Sequence, residues 1–91
     1  MKKLSIIIPV YNAQRTLGLV IESIIMLKLP PGLAKEIIIV DDGSTDGSRE
    51  VVTQQQKNNP RLVKAHLSLI NIGKGAAVRM GLKLATGDIF I

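Results

Sequence analysis

Apolar and polar positions follow three different rhythms along this chain. Residues 4–10 and 36–40 are nearly unbroken apolar runs, Leu4-Ser5-Ile6-Ile7-Ile8-Pro9-Val10 and Glu36-Ile37-Ile38-Ile39-Val40. Such runs suit strands buried on both faces of a parallel sheet. Between them, Leu17, Val20, Ile21, Ile24 and Ile25 fall on the i, i+3, i+4, i+7, i+8 stripe of an amphipathic helix. That helix is expected over residues 13–29, ended by Pro30-Pro31-Gly32. Residues 46–57 are polar apart from Val51 and Val52 and read as a short surface helix, broken by Asn58-Asn59-Pro60. Residues 62–69 alternate with period two, which predicts a third strand near a sheet edge with one wetter side. Residues 76–85 read as a third helix, in which Ala77, Gly81 and Ala85 allow close approach to the sheet. Gly87 is its expected stop, and Ile89-Phe90-Ile91 opens a fourth strand.

The order β-α-β-α-β-α-β calls for a parallel, doubly wound sheet with helices on both faces. Ninety-one residues make one small domain, 46% of them apolar. No cysteine is present, so disulfides and thiolate metal sites are excluded. Met1-Lys2-Lys3 followed by an apolar run imitates a leader peptide, but Pro9 interrupts it and no small-residue cleavage site follows. No run approaches the roughly 20 apolar residues of a membrane helix. The net charge of +5 invites a nucleic-acid partner, yet the basic residues are scattered singly, and one Tyr and one Phe leave little for base stacking. His66 falls on the polar phase of its strand and is expected to face solvent.

Candidate chemistry gathers where strands end. In a parallel sheet, ligands bind beyond the carboxyl ends of the strands. Three loops open there: Pro9 to Asn12, with the Tyr11 ring and the Asn12 amide; Asp41-Asp42-Gly43-Ser44, with two carboxylates; and Asn71-Ile72-Gly73-Lys74-Gly75, with a lysine among exposed amides. Thr45 and Asp46 are read as caps of the following helix. The third loop suits an anion, and the helix N-terminus after it adds a favourable dipole. A ligand donating hydrogen bonds at one end and carrying phosphate at the other fits all three, as a nucleotide does. The chain lacks the Gly-x-x-x-x-Gly-Lys-Ser/Thr of a P-loop. Gly73-Lys74-Gly75 begins like a dinucleotide fingerprint, but Val78 takes the third glycine position and the first loop has no glycine.

Ile6-Ile7-Ile8-Pro9-Val10-Tyr11-Asn12, Val40-Asp41-Asp42-Gly43-Ser44-Thr45-Asp46-Gly47-Ser48, Asn71-Ile72-Gly73-Lys74-Gly75 and Ala85-Thr86-Gly87-Asp88 together resemble the family 2 glycosyltransferases. The similarity is greatest to their dolichyl-phosphate mannose and glucose synthase-like branch. The resemblance implies the nucleotide-sugar-binding half of a GT-A fold, spanning residues 1–91. It implies an inverting transfer from a UDP- or GDP-linked sugar to a hydroxyl or a polyprenyl phosphate. Pro9 and Tyr11 would pack at the base and ribose, Asp42 with Asp41 beside it would read the base, and Gly73, Lys74 and Gly75 would lie near the nucleotide. Asp88 would support the fold. Many relatives carry Glu where this chain has Ala13. A divalent metal, Mg or Mn, is expected only in a longer protein, as are the Asp-x-Asp motif, the acid/base carboxylate and any membrane-associating part. The Asp-x-Asp is expected within about eight residues after position 91, since strands run about 5–6 residues. Residues 1–91 alone are expected to be inactive. A cytoplasmic location, including the cytoplasmic face of a membrane, goes with this reading. Its rivals are a stand-alone nucleotide-binding or regulatory module and, from another class, an NAD-dependent oxidoreductase.

Overall fold

The computed structural model describes residues 2–91. Its elements run β1 (Lys2–Val10), α1 (Gln14–Met26), β2 (Leu33–Asp41), α2 (Ser48–Asn58), β3 (Val63–Leu67), α3 (Lys74–Leu84) and β4 (Ile89–Phe90). All four strands are parallel, in the order β3-β2-β1-β4. The chain thus winds outward from β1 to β3, then crosses back to place β4 on the other side of β1. That reversal is the switch point of a doubly wound sheet.

Strand alternation sends successive side chains to opposite faces. On one face Val10, Ile37, Ile39 and Val63 pack with Leu17 and Ile21 of α1 and Val52 of α2. On the other, Ile38 and Val40 meet Ala77 of α3, flanked by Ile7, Met80 and Leu84. The small residues of α3 have the expected consequence. A Cβ on Gly81 would collide with Cγ2 of Ile7, so the helix axis lies close against β1.

Several boundaries differ from the sequence expectation. Helix α1 ends at Met26 because Leu27 already turns extended, and Val20 is 44% exposed, off the buried stripe. Lys35 helps fix that end: its ammonium donates to the carbonyls of Ile24, Ile25 and Leu27 at 2.6–2.7 Å. Strand β2 starts at Leu33, earlier than expected, since Lys2 and Leu33 already pair. Pro9 sits inside β1 without disrupting it. Ile7 bonds to Ile91, so odd-numbered residues of β1 turn their amides toward β4 and away from β2, and Pro9 removes no donor from the β1–β2 ladder. Strand β3 is an edge strand, as expected, but stops at Leu67. His66 is half-buried rather than solvent-facing, because its phase faces α3. Gly87 is not the stop of α3, which ends at Leu84 with Ala85 extended. It instead passes over β1, where a Cβ would lie 2.7 Å from the Lys3 carbonyl oxygen.

Away from the loop rim, a charged cluster ties β1, β2, β3 and the turn before β4 together. Glu36 is 3% exposed. It accepts from the Ser5 hydroxyl at 2.6 Å and the Thr86 amide at 2.6 Å, and pairs with the Lys64 ammonium at 2.9 Å. Burial opposes its ionisation, but these donors outweigh burial and lower its pKa to about 2. Asp88 supports the same edge, accepting from the Lys3 amide at 3.0 Å. Among the described residues, no helix is long and apolar enough to cross a membrane.

Candidate functional site

The first two loops are locked to each other before either can meet a ligand. Asn12, in the left-handed region at φ 49°, accepts on Oδ1 from the amides of Thr45 at 2.8 Å and Asp46 at 3.3 Å. In return, its own amide donates to the Ser44 hydroxyl, and the next amide, Ala13, donates to the Ser48 hydroxyl. Asp46 accepts from the amides of Ser48 and Gln14. It therefore serves the starts of both α1 and α2, where helix amides lack intrahelical partners. The Ser48 side chain, with the amides of Ser48 and Gln14, holds the Asp46 carboxyl below the ordinary carboxylate range. The expected role for Asp46 thus holds, extended to a second helix. Thr45 contributes only its own amide and a weak contact to Asn12, and makes no side-chain cap.

The two adjacent aspartates have separate fates. Asp41 is fully buried. Its Oδ2 accepts from the Ser44 amide at 3.0 Å and from Arg49 at 3.2 Å, and Arg49 also donates to the Ser68 carbonyl at 2.6 Å. Oδ1 of Asp41 and the Ser68 hydroxyl are buried without a partner among the described residues. Asp42 instead accepts from the Ile72 amide at 2.6 Å and the Gly73 amide at 3.0 Å. It thereby fixes the third loop, whose backbone passes so close to Gly43 that a Cβ there would lie 2.5 Å from the Ile70 carbonyl carbon. Gly43 also has φ 75°, so both backbone angle and space require glycine.

Between these loops lies a cavity of about 250 Å³ lined by Pro9, Val10, Tyr11, Asp42 and Lys74. The structure therefore brings four of the eight sequence-derived residues, Pro9, Tyr11, Asp42 and Lys74, to one cavity. Gly73 joins through its amide on Asp42. Asn12, Asp41 and Gly75 do not line the cavity: Asn12 is spent on the loop latch and Asp41 on Arg49. Gly75 lies on α3, where a Cβ would come 3.6 Å from Arg79 Nη1. Tyr11 is 52% exposed, a ring available for stacking. The first intrahelical amide of α3 is that of Ala77, which leaves the amides of residues 74–76 at a helix start with no acidic side chain in its first turn. That end of α3, with the Lys74 ammonium, favours a negative group. The cavity lining thus combines an acceptor, an aromatic ring and a positive charge.

Sequence reasoning missed Arg49 and Glu36. A lone glutamate opening an apolar strand, opposite Ser5 in a parallel pair, was the available signal for the second. Among the described residues, no three His, Cys, Asp or Glu side chains come together in a way that could hold a metal.

The family model described as "Glycosyl transferase family 2" matches residues 5–91. An undecaprenyl-phosphate 4-deoxy-4-formamido-L-arabinose transferase of Pectobacterium carotovorum is 37% identical over 90 residues, covering 99% of this chain and 28% of that protein. An uncharacterized glycosyltransferase of Nostoc sp. is 41% identical over 87 residues, covering 96% and 26% respectively. Among solved structures, a mannosyltransferase from Pyrobaculum calidifontis in complex with GDP-Man and Mn2+ superposes with a TM-score of 0.86 at 27% identity, over 98% of this chain and 26% of that one. TarS of S. aureus in complex with UDP-GlcNAc gives a TM-score of 0.80 at 28% identity, with the same coverage of both chains. The chain spans little more than a quarter of the length of these curated relatives.

Proposed function

The chain belongs to glycosyl transferase family 2, and from that premise we propose that it supplies the donor-nucleotide pocket of a sugar transferase. The donor is a nucleoside-diphosphate sugar, and the acceptor is a polyprenyl phosphate at the cytoplasmic face of a membrane. One observation carries the reading: Asp42, pinned by two amides of the third loop, shares a cavity with Tyr11, Pro9 and Lys74. Each amide uses one lone pair of one carboxylate oxygen, so each oxygen retains capacity for a ring N–H of a base. Tyr11 offers its face to the base, and Lys74 with the start of α3 offers positive charge to the diphosphate. The ligands of the two solved neighbours, GDP-Man and UDP-GlcNAc, belong to the same chemical class. The lipid-phosphate acceptor follows from the name of the Pectobacterium relative.

The described residues do not form a metal site, and their role is donor binding. Calorimetric titration with UDP, GDP and NAD tests it. Binding of UDP or GDP, without NAD, is the expected result. Binding of NAD alone, or of none of the three by folded protein, overturns it.

A further inference from the structure

Among the described residues, side-chain packing does not anchor the stretch from Leu69 to Ile72, where every residue is exposed. Yet this stretch and the glycine after it deliver the two amides that hold Asp42, and Lys74 follows directly. A loop that puts no side chain into the core takes its position from its two ends. The far end is the clamp on Asp42. The near end is Ser68, and Ser68 is held from outside the cavity. The Arg49 guanidinium donates to the Ser68 carbonyl at 2.6 Å, and the Ser68 amide donates to the Asp41 carbonyl at 2.9 Å. Between the two ends the backbone at Ile70 passes over Gly43, a steric contact that limits approach from one side only.

Arg49 is itself tightly placed. The nitrogen that reaches Ser68 also donates to Asp41 Oδ2 at 3.2 Å, and Asp41 is fully buried. Removing one partner of such a pair leaves the other charge uncompensated, so the two side chains hold each other in place. A charged strut thus runs from α2 through the Asp41 turn to the start of the third loop. Arg49 does not line the cavity. We propose that Arg49 is a positioning residue of the donor pocket. By fixing Ser68 it sets where the loop presents the Ile72 and Gly73 amides to Asp42, and so where Asp42 and Lys74 stand in the cavity. This role rests on the donor-pocket reading above and extends it to a side chain that meets neither base nor diphosphate.

The experiment is calorimetric titration of UDP and GDP into wild type, Arg49→Met, Arg49→Lys, Asp42→Ala and Asp42→Ala/Arg49→Met, each well below its melting temperature, with amide hydrogen exchange on the same proteins. Folded Arg49→Met binds the nucleotide roughly tenfold more weakly. Arg49→Lys recovers part of that loss, because a single nitrogen makes both bonds. Arg49→Met adds little once Asp42 is gone, since residues acting through one network are not additive. Exchange of the Ile72 and Gly73 amides quickens in Arg49→Met, and less so in Arg49→Lys, ahead of core amides such as Ile37 and Val63. A purely structural arginine would lower the melting temperature and leave the affinity of the folded protein unchanged. That result, or an Arg49→Met loss that stays whole without Asp42, overturns the proposal. If Arg49→Met does not fold, exchange in Arg49→Lys decides, and Ile72 and Gly73 that exchange as in wild type overturn it. Wild type that binds neither nucleotide sinks the donor-pocket reading, while the exchange pattern still decides whether Arg49 sets the loop.

Discussion

Asp41 and Asp42 are neighbours in the chain, yet their carboxylates serve opposite sides of the sheet. Asp41 turns to Arg49 of α2, and Asp42 turns to the amides that open α3. The alternation of an extended chain forces this division, and it decides which carboxylate lines the cavity.

Asp42→Ala is therefore expected to weaken nucleotide binding roughly ten- to a hundredfold, from loss of a charged hydrogen bond worth about 1.5–3 kcal/mol. Asp46→Ala removes a carboxylate that lines no part of the cavity, and its cost should appear as lower stability instead. Calorimetry on both variants checks this. Equal losses of affinity from two folded proteins would return the turn to a purely structural role.

A second expectation concerns pH. The folded pKa of Glu36 is lowered from 4.5 to about 2. A depressed carboxylate contributes stability that is fully present above its unfolded pKa and is lost as pH falls toward the folded one. The window is thus about pH 4.5 down to 2, and the contribution at neutral pH is about 3 kcal/mol at most. Urea unfolding of wild type and Glu36→Gln should show a gap that closes across that window. Asp46 is shifted in the same direction but is present in both proteins, so it cancels in the difference. A gap constant from pH 7 to pH 2.5 would sink the assignment.

Gly81 offers a test of packing against propensity. Alanine would favour the helix by about 1 kcal/mol at an exposed site. Here its methyl group meets Ile7, and overpacking costs about 1–3 kcal/mol. Gly81→Ala should destabilise the protein, yet be neutral or stabilising in an Ile7→Ala background. Thermal or urea unfolding of the double-mutant cycle reads the coupling directly. Additive effects would mean that α3 can move away from β1 at little cost.

Lys35→Met should cost about 1–2 kcal/mol, because three carbonyls at the end of α1 lose a cationic donor. Hydrogen exchange should quicken first in the last turn of α1. Uniform change across the whole domain would argue for a global effect.

The parallel sheet and the helix faces were legible in the sequence because apolar periodicity is a local signal. Ile37 to Val40 could be nothing but a buried strand, and Ala77 with Gly81 announced a closely packed helix. The edge position of β3 followed from its alternation. The work of individual polar groups was less legible, since their partners lie far along the chain. Glu36 bonds to Thr86, fifty residues away, and Asp42 to amides some thirty residues on. Asn12 looked like a ligand-facing amide, but its φ of 49° turns it toward Thr45 and Asp46. Side-chain type located the rim correctly, and only the folded backbone shows which groups on it are already occupied.

The latch between residues 12–14 and residues 44–48 also limits how this pocket can be re-engineered. Amides of each loop are satisfied by side chains of the other: Asn12 with Thr45, Ala13 with Ser48, Gln14 with Gly47. A chimaera that imports only one of the two segments from a relative would strand several donors at once. Grafts from a relative should therefore exchange both segments as a single cassette, and substitutions at position 12 should tolerate only matching changes at 44–48.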